Sequence, residues 1–265
     1  MRYAKGSLQL SHAHDYPLLR QVLRSGFVTQ DQLYDFMHLS HHEWNRHSFT
    51  WRLRRLVKHK FVVRQSMPTA ASGQFVYSIA DSGAMVLQSA GEYCLVGWRR
   101  EGRVEDAAAV SHAVEVNGIH LTLLRSGLAF RWIPATEIRS QNELTRFGYA
   151  KDYDAVVEIM GTNGLLKFGL EYERSAKAER QYRLIAHRIT QERHLGHVLY
   201  LFPNRDLADY VARFFTQRVP RVYFGLVQDW HAEVLEMPVA AAPADGRIRL
   251  REGLVRNVCV QLALV

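Results

Sequence analysis

The run EWNRHSFTWRLRRLVKHK, residues 43–60, shows two faces when wound at about 100° per residue. Phe49, Leu53, Leu56 and Val57 fall at i, i+4, i+7 and i+8 and form an apolar stripe. Opposite them lie His47, Trp51, Arg54, Arg55 and Lys58, with Trp44 close by. Ahead of this helix, DYPLLRQVLRS (15–25) predicts a shorter one with Asp15 as N-cap and Gly26 as its stop. A second short helix follows in TQDQLYDFM (29–37), where Thr29 and Gln32 have the spacing of a capping box. Behind the basic helix come KFVVRQ (60–65), the Pro- and Gly-bearing loop SMPTAASG (66–73) and QFVYSI (74–79), which together predict a β-hairpin. Three helices and then a hairpin is the order of a winged helix-turn-helix. Asp81 is expected to cap a further helix, SGAMVLQSA (82–90), and residues 92–106 have the mixed character of a connector. The expected domains are 1–103 and 104–265.

The second half alternates. Helix 107–127 precedes strands LAFRWIPA (128–135) and KDYDAVVEIM (151–160), a turn GTNG (161–164) and strand LLKFGLEYE (165–173). Asn163 and Gly164 read as a two-residue hairpin connection. A long helix over 175–193, strand HVLYLF (197–202), helix 205–218 and strand RVYFGLV (221–227) complete the alternation. Residues 237–247 read as a loop and VCVQLALV (258–265) as a last strand. The pattern predicts an α/β (α+β) class, with a mixed sheet flanked by helices.

Charge separates the two parts. The 265 residues carry 34 Lys and Arg against 26 Asp and Glu, a formal charge of +8 with a pI near 9.6. Residues 1–100 hold 13 of the cations and 6 of the acids, so nearly all the surplus lies there, with 7 of the 13 histidines. An acidic partner such as nucleic acid follows. Cys94 and Cys259 have no neighbours at disulfide or zinc-ligand spacing. The start MRYAKGS is polar, and no apolar run approaches the roughly 18 residues of a membrane span. The expectation is a cytoplasmic chain with no membrane partner.

Basic side chains with an interleaved aromatic on the open face of a third helix suit a DNA major groove. Arg and Lys neutralise phosphates, and an arginine fork pairs with guanine edges. His47, Trp51, Arg54, Arg55 and Lys58 are the candidate contacts, with Arg64 and nearby Lys60 on the hairpin reaching an adjacent groove or backbone. Double-stranded DNA is the expected partner.

Four acids mark the second half. Glu137 and Asp154 lie 17 residues apart, Asp154 and Glu171 another 17, and Glu173 follows at i+2. Strand alternation sends Glu171 and Glu173 to one side of the sheet, and an antiparallel neighbour brings Asp154 to them. Clustered carboxylates repel unless a cation joins them, so Asp154, Glu171 and Glu173 are candidate ligands of Mg²⁺ or Mn²⁺ that would activate water against a phosphodiester. No nucleophile elbow and no Gly-rich phosphate loop is present, which sets aside hydrolase-triad and NTPase chemistry.

A strand carrying Asp, a hairpin to Glu-x-(Lys or Glu) and a following helix resemble the PD-(D/E)XK nuclease superfamily. With a winged helix ahead of them, SHAVEVN (His112, Asn117), DYDAVVEI (Asp152, Asp154) and GLEYERS (Glu171, Glu173, Arg174, Ser175), followed by Tyr182, resemble the replication-relaxation family of plasmid and mobile-element proteins over roughly residues 12–200. The resemblance implies a role in replication, transfer or defence of a mobile element. Tyr153 stands where the family pattern has proline, and Glu173 where most of these nucleases have a lysine. Glu-x-Glu with an upstream Glu is similar to a minority of restriction endonucleases, which would give Glu137 an assisting role, and Lys177 is the candidate replacement for the lysine. Two readings therefore stand side by side. One is a metal-dependent DNA endonuclease using Asp154, Glu171, Glu173, Glu137 and Lys177. The other is a catalytically silent domain serving as a platform for DNA, a partner protein or homodimer formation.

Overall fold

A computed structural model of the chain describes residues 9–67, 74–92, 107–145, 148–161, 164–216, 220–242 and 246–256. It is a mixed α+β structure that divides into two compact units, residues 1–117 and 118–265. The expected connector over 92–106, apart from Glu92, the loop over 68–73, Cys94, Asn163, Cys259 and the last strand over 258–265 lie outside the described residues.

The N-terminal unit is built from α1 (Asp15–Ser25), β1 (Val28–Thr29), α2 (Gln30–Leu39), α3 (Arg46–Lys58), β2 (Val62–Ser66), β3 (Phe75–Ile79) and α4 (Asp81–Ser89). Strand β3 lies between β1 and β2, antiparallel to both. The capping box holds: Thr29 accepts from the Gln32 backbone N–H, and Gln32 answers on the Thr29 N–H. Leu18, Leu19, Val22, Leu33, Phe36, Phe49, Leu53 and Leu56 are buried and make the helical core.

Asp15 departs from expectation. It does not cap α1 from outside but sits in its first turn, wholly buried, where its Oδ2 accepts from the Ser11 N–H at 2.7 Å. Arg55 reaches the same oxygen at 2.6 Å, and Arg52 reaches Oδ1 at 3.3 Å. A buried carboxylate needs this compensation, and two guanidinium groups from α3 supply it. Arg52 also meets the buried Glu43 at 3.4 Å.

Helix α5 (Ala107–Arg125) begins within this unit, beyond the expected boundary at 103. Val110 packs with Phe27 and Val76, the Val114 carbonyl accepts from Gln32, and the Asn117 amide donates to the carbonyls of Ser25 and Phe27 at 3.2 and 2.8 Å. These bonds give Asn117 a structural role.

The C-terminal unit adds β4 (Ala129–Pro134), α6 (Ala135–Leu144), β5 (Ala155–Gly161), β6 (Gly164–Tyr172), α7 (Glu179–Ile189), β7 (His197–Phe202), α8 (Arg205–Ala212), β8 (Arg221–Leu226), α9 (Val227–Glu233), a 3₁₀ turn (Val234–Glu236), β9 (Pro238–Ala242), β10 (Arg247–Arg249) and α10 (Leu250–Arg256). The seven-stranded order is β10-β9-β8-β7-β6-β5-β4. Strands β4, β5 and β6 are antiparallel neighbours, β6, β7 and β8 run parallel, and β9 and β10 are antiparallel again. Helices α7 and α8 are the crossovers that parallel pairing requires. Strand β7 is buried at every position, which explains why HVLYLF reads as an unbroken apolar run rather than an alternation.

Several expectations need correction. Residues 237–247, expected as a loop, contain β9 and the start of β10. The alanines of β9 have low strand preference, but Val239, Ala241 and Ala242 are buried, and Gly225 on β8 leaves room for the Met237 methyl where a Cβ would come within 2.3 Å. Helix α7 starts at Glu179 rather than 175, and in the segment ahead of it the Lys177 N–H donates to the Tyr182 hydroxyl at 3.0 Å. It ends at Ile189, where the Glu192 carboxylate turns back to accept from the N–H groups of Arg193 and His194. Helix α8 stops at Ala212, short of the expected 218. Among the described residues no helix is long and apolar enough to cross a membrane.

Replacing Asp15 by Ala strands two arginines against a buried site and should cost about 3–5 kcal/mol of unfolding free energy, read from urea denaturation. A cost below about 1 kcal/mol would show that the arginines are compensated elsewhere.

Candidate nucleic-acid interface and acidic cluster

In the N-terminal unit, Asn45 caps α3, its side chain accepting from the N–H groups of His47 and Ser48 at 2.8 and 3.1 Å. Phe49, Leu53 and Leu56 face the core, and Val57 is half-buried at its margin. His47, Trp51, Arg54 and Lys58 are exposed together, as the helical projection requires. Arg64 is exposed on β2 with its guanidinium 3.5 Å from the Phe75 ring centroid, and Lys60 is exposed at a backbone φ of 60°.

Arg55 is the correction. It belongs by angle to the exposed face, yet its guanidinium is drawn inward to Asp15, so its charge is already matched. On the way it lies 5.0 Å from the Trp51 ring centroid. Sequence reasoning missed Arg52 and Glu43 because an Asp ahead of an apolar helix reads as a cap rather than as a buried anion needing partners. It also missed Arg46, which pairs with Asp31 and lies over the Tyr34 ring.

In the C-terminal unit the three expected acids lie at one end of the β5–β6 pairing. Ala155 is in register with Leu170, so Asp154 and Glu171 follow at the next step. Asp154 Oδ2 accepts from the Tyr172 N–H at 2.8 Å. Glu171 and Glu173 are buried, and each has its own cation: Lys151 lies 2.5 Å from Glu171, and Lys177 lies 2.5 Å from Glu173. Glu137 is in the first turn of α6, and that turn begins where the Ala135 N–H donates to the Asp154 carbonyl. Lys151 was not anticipated. Its signal was its place three residues before Asp154, in a segment expected to be strand but bent instead.

The surroundings hold this cluster firmly. Glu192, also missed, accepts from the Ala150 N–H at 3.0 Å and the Tyr153 hydroxyl at 3.1 Å. Asn142 donates to Asp152 and accepts from the Tyr149 N–H. The Tyr153 ring covers Gly169, where a Cβ would approach it to 3.1 Å. Burial pushes the Glu171 carboxyl up to about 7, with Lys151 pulling back and the Asp154 charge adding to the rise. Burial likewise raises Tyr200, beside Glu171 on β7, far above the usual phenol range, and Tyr182 to about 12. Among the described residues no three His, Cys, Asp or Glu side chains are grouped so as to hold a metal ion.

No family model and no curated protein matches the chain. Among solved structures it is similar to Bacillus subtilis PadR in complex with operator DNA, with 14% identity, coverage of 50% of this chain and 79% of that one, and a TM-score of 0.25. Likeness of that size defines neither a fold nor a function.

Two buried groups in this unit titrate in opposite senses. His197 is held near 4 by burial and by Arg221, against an ordinary 6.5, so the unfolded chain takes its proton first and stability falls as pH drops from about 6.5 to 4. Glu171, near 7 against an ordinary 4.5, keeps its proton longer when folded, so stability falls as pH rises from about 4.5 to 7. Where the windows overlap the two effects oppose each other. In EDTA, urea unfolding of Glu171→Gln should show stability climbing with pH across that overlap, and His197→Gln should show it declining. Unchanged slopes in both variants would show that the two shifts are absent.

Proposed function

We propose that the chain is a double-stranded-DNA-binding protein. In this reading the N-terminal unit is a winged helix that docks α3 in the major groove, and the C-terminal unit is a PD-(D/E)XK-like domain. The observation that carries it is the outward face of α3, which presents His47, Trp51, Arg54 and Lys58 with no acid, while the helix spends Arg52 and Arg55 on internal carboxylates. Exposed cations left over once internal pairing is complete are available for phosphates. The element order α1-β1-α2-α3-β2-β3 supports the winged helix, with Arg64 on the wing and Lys60 in the turn ahead of it. The resemblance to the replication-relaxation family supports a role in replication, transfer or defence of a mobile element.

Replacing Arg54, Lys58 and Arg64 together by Ala should lower the log–log salt slope of duplex binding by about 2.7 units, measured by fluorescence anisotropy over a salt series. Arg55→Ala should leave the slope nearly unchanged and lower stability. An unchanged slope in the triple variant would remove this surface from the interface.

For the C-terminal unit, a helix, three antiparallel strands, a crossover helix and a parallel strand support the nuclease-like reading, with carboxylates at the end of β5–β6. Carboxylate oxygens suit a hard cation by their chemistry, although no three acids among the described residues are grouped to hold one as they stand. In this reading Asp154, Glu171 and Glu173 would draw together on Mg²⁺ or Mn²⁺, which when bound supplies an activated water for attack on a phosphodiester. Glu137 would lie beside Asp154, and Lys177 would neutralise Glu173. The second reading, a silent domain, is favoured by the lysines: with Lys151 on Glu171 and Lys177 on Glu173, two of the carboxylates are compensated by the chain itself. Calorimetric titration with Mn²⁺ separates the readings. The nuclease reading expects binding that Asp154→Asn abolishes while duplex affinity is kept, and the silent reading expects no heat at millimolar metal, with or without DNA.

A further inference from the structure

Two indoles of the N-terminal unit stand in water beside its basic helix. Trp44, just ahead of α3, is 65% exposed, and Trp51, on the outward face of α3, is 58% exposed. Both are held in place. Trp44 stacks on His41 with centroids 5.1 Å apart and meets His38 edge-on at 5.4 Å, while its carbonyl accepts from the Tyr34 hydroxyl at 3.3 Å. Trp51 is steadied by the Arg55 guanidinium, which Asp15 pins from below. Large rings kept exposed and ordered have already paid much of the entropy that a stacking partner would otherwise cost them.

The charge around the rings names the partner. His47, Arg54 and Lys58 are exposed beside them, and residues 44–60 contain no Asp or Glu. A polyanion with open aromatic faces is complementary to such a surface. Within a paired duplex only base edges reach the grooves, and the faces are covered by neighbouring bases. An indole plane therefore gains its full stacking contact only where a base has left the stack.

We propose that Trp44 and Trp51 form a stacking platform for unpaired nucleobases, so that the DNA preferred by α3 is a duplex carrying an extrahelical or single-stranded base. The proposal rests on the DNA-binding reading and narrows its substrate. Phosphates flanking the displaced base meet Arg54 and Lys58, and the base itself lies on the rings.

The test uses the full chain and three fluorescent DNA probes of one sequence: a blunt duplex, the same duplex with one extra unpaired base, and that bulge with an abasic site in place of the base. Anisotropy should show the bulged base bound about tenfold more tightly than the other two, with quenching of tryptophan fluorescence. Trp44→Ala, at an exposed position outside the groove-facing set, should lose most of this preference and its share of the quenching while binding the blunt duplex as before, and Trp51→Ala should lose more affinity for the bulged base than for the other two probes. Trp51→Phe should restore part of the preference. Equal binding of all three probes by the unaltered chain, equal losses on all three in the variants, or full preference kept by either Ala variant overturns the paired platform and leaves duplex binding standing. Failure of the unaltered chain to bind any probe overturns the DNA reading and the platform together.

Discussion

Asp15 has none of its surface in water, and that constraint organises the N-terminal unit. An isolated buried carboxylate is costly enough that the fold must bring it cations, and both come from α3, one turn apart. The pairing draws α3 against the start of α1 and fixes its rotation. Rotation in turn decides which side chains of a helix with five Arg and Lys residues remain outside. Arg54 and Lys58 stay exposed because Arg52 and Arg55 are consumed. The same contact steadies Trp51 through the Arg55 guanidinium. A single internal anion thus shapes both the charge and the aromatic order of the proposed interface.

In the C-terminal unit the corresponding constraint is strand β6, which pairs antiparallel with β5 on one side and parallel with β7 on the other. Its far end is where the hairpin half of the sheet meets the crossover half. Glu171 is flanked there by Asp154 before β5 and by Tyr200 on β7, and Glu173 follows as the strand ends. Open α/β sheets commonly build sites at the carboxyl ends of their parallel strands. Here Glu171 and Glu173 are inward, buried and matched by lysines, whereas Arg54 and Lys58 of α3 face outward. Inward charge sets the pH dependence of stability, and outward charge is available to a partner.

How legible all this was depends on the range of the interactions involved. Helices α1 to α3, the hairpin, the capping box at Thr29 and the strands β4 to β8 follow from local periodicity and turn chemistry, which the residues declare over a few positions. Strand β9 was illegible because its alanines have little intrinsic preference and are held by Gly225 and their neighbours in the sheet. Helix α6 and the early end of α7 were illegible for a related reason: side-chain bonds from Asn142, Tyr182 and Glu192 set the path of the chain there.

That Asp154 lies at the same end of the β5–β6 pairing as Glu171 and Glu173 could be read from spacing, since alternation and a hairpin leave little freedom in where those residues go. Of the cations that answer them, Lys177 was already a candidate four residues beyond Glu173, whereas Lys151 was not, because it lies on a bend where a strand was expected. On α3 the residues and their angles came from composition and a 3.6-residue repeat. That Arg55 turns inward while Arg54 stays out was decided by Asp15, 40 residues away. Local order is written in short-range sterics and hydrogen bonding, whereas the compensation of a buried charge depends on which distant groups the fold brings within reach.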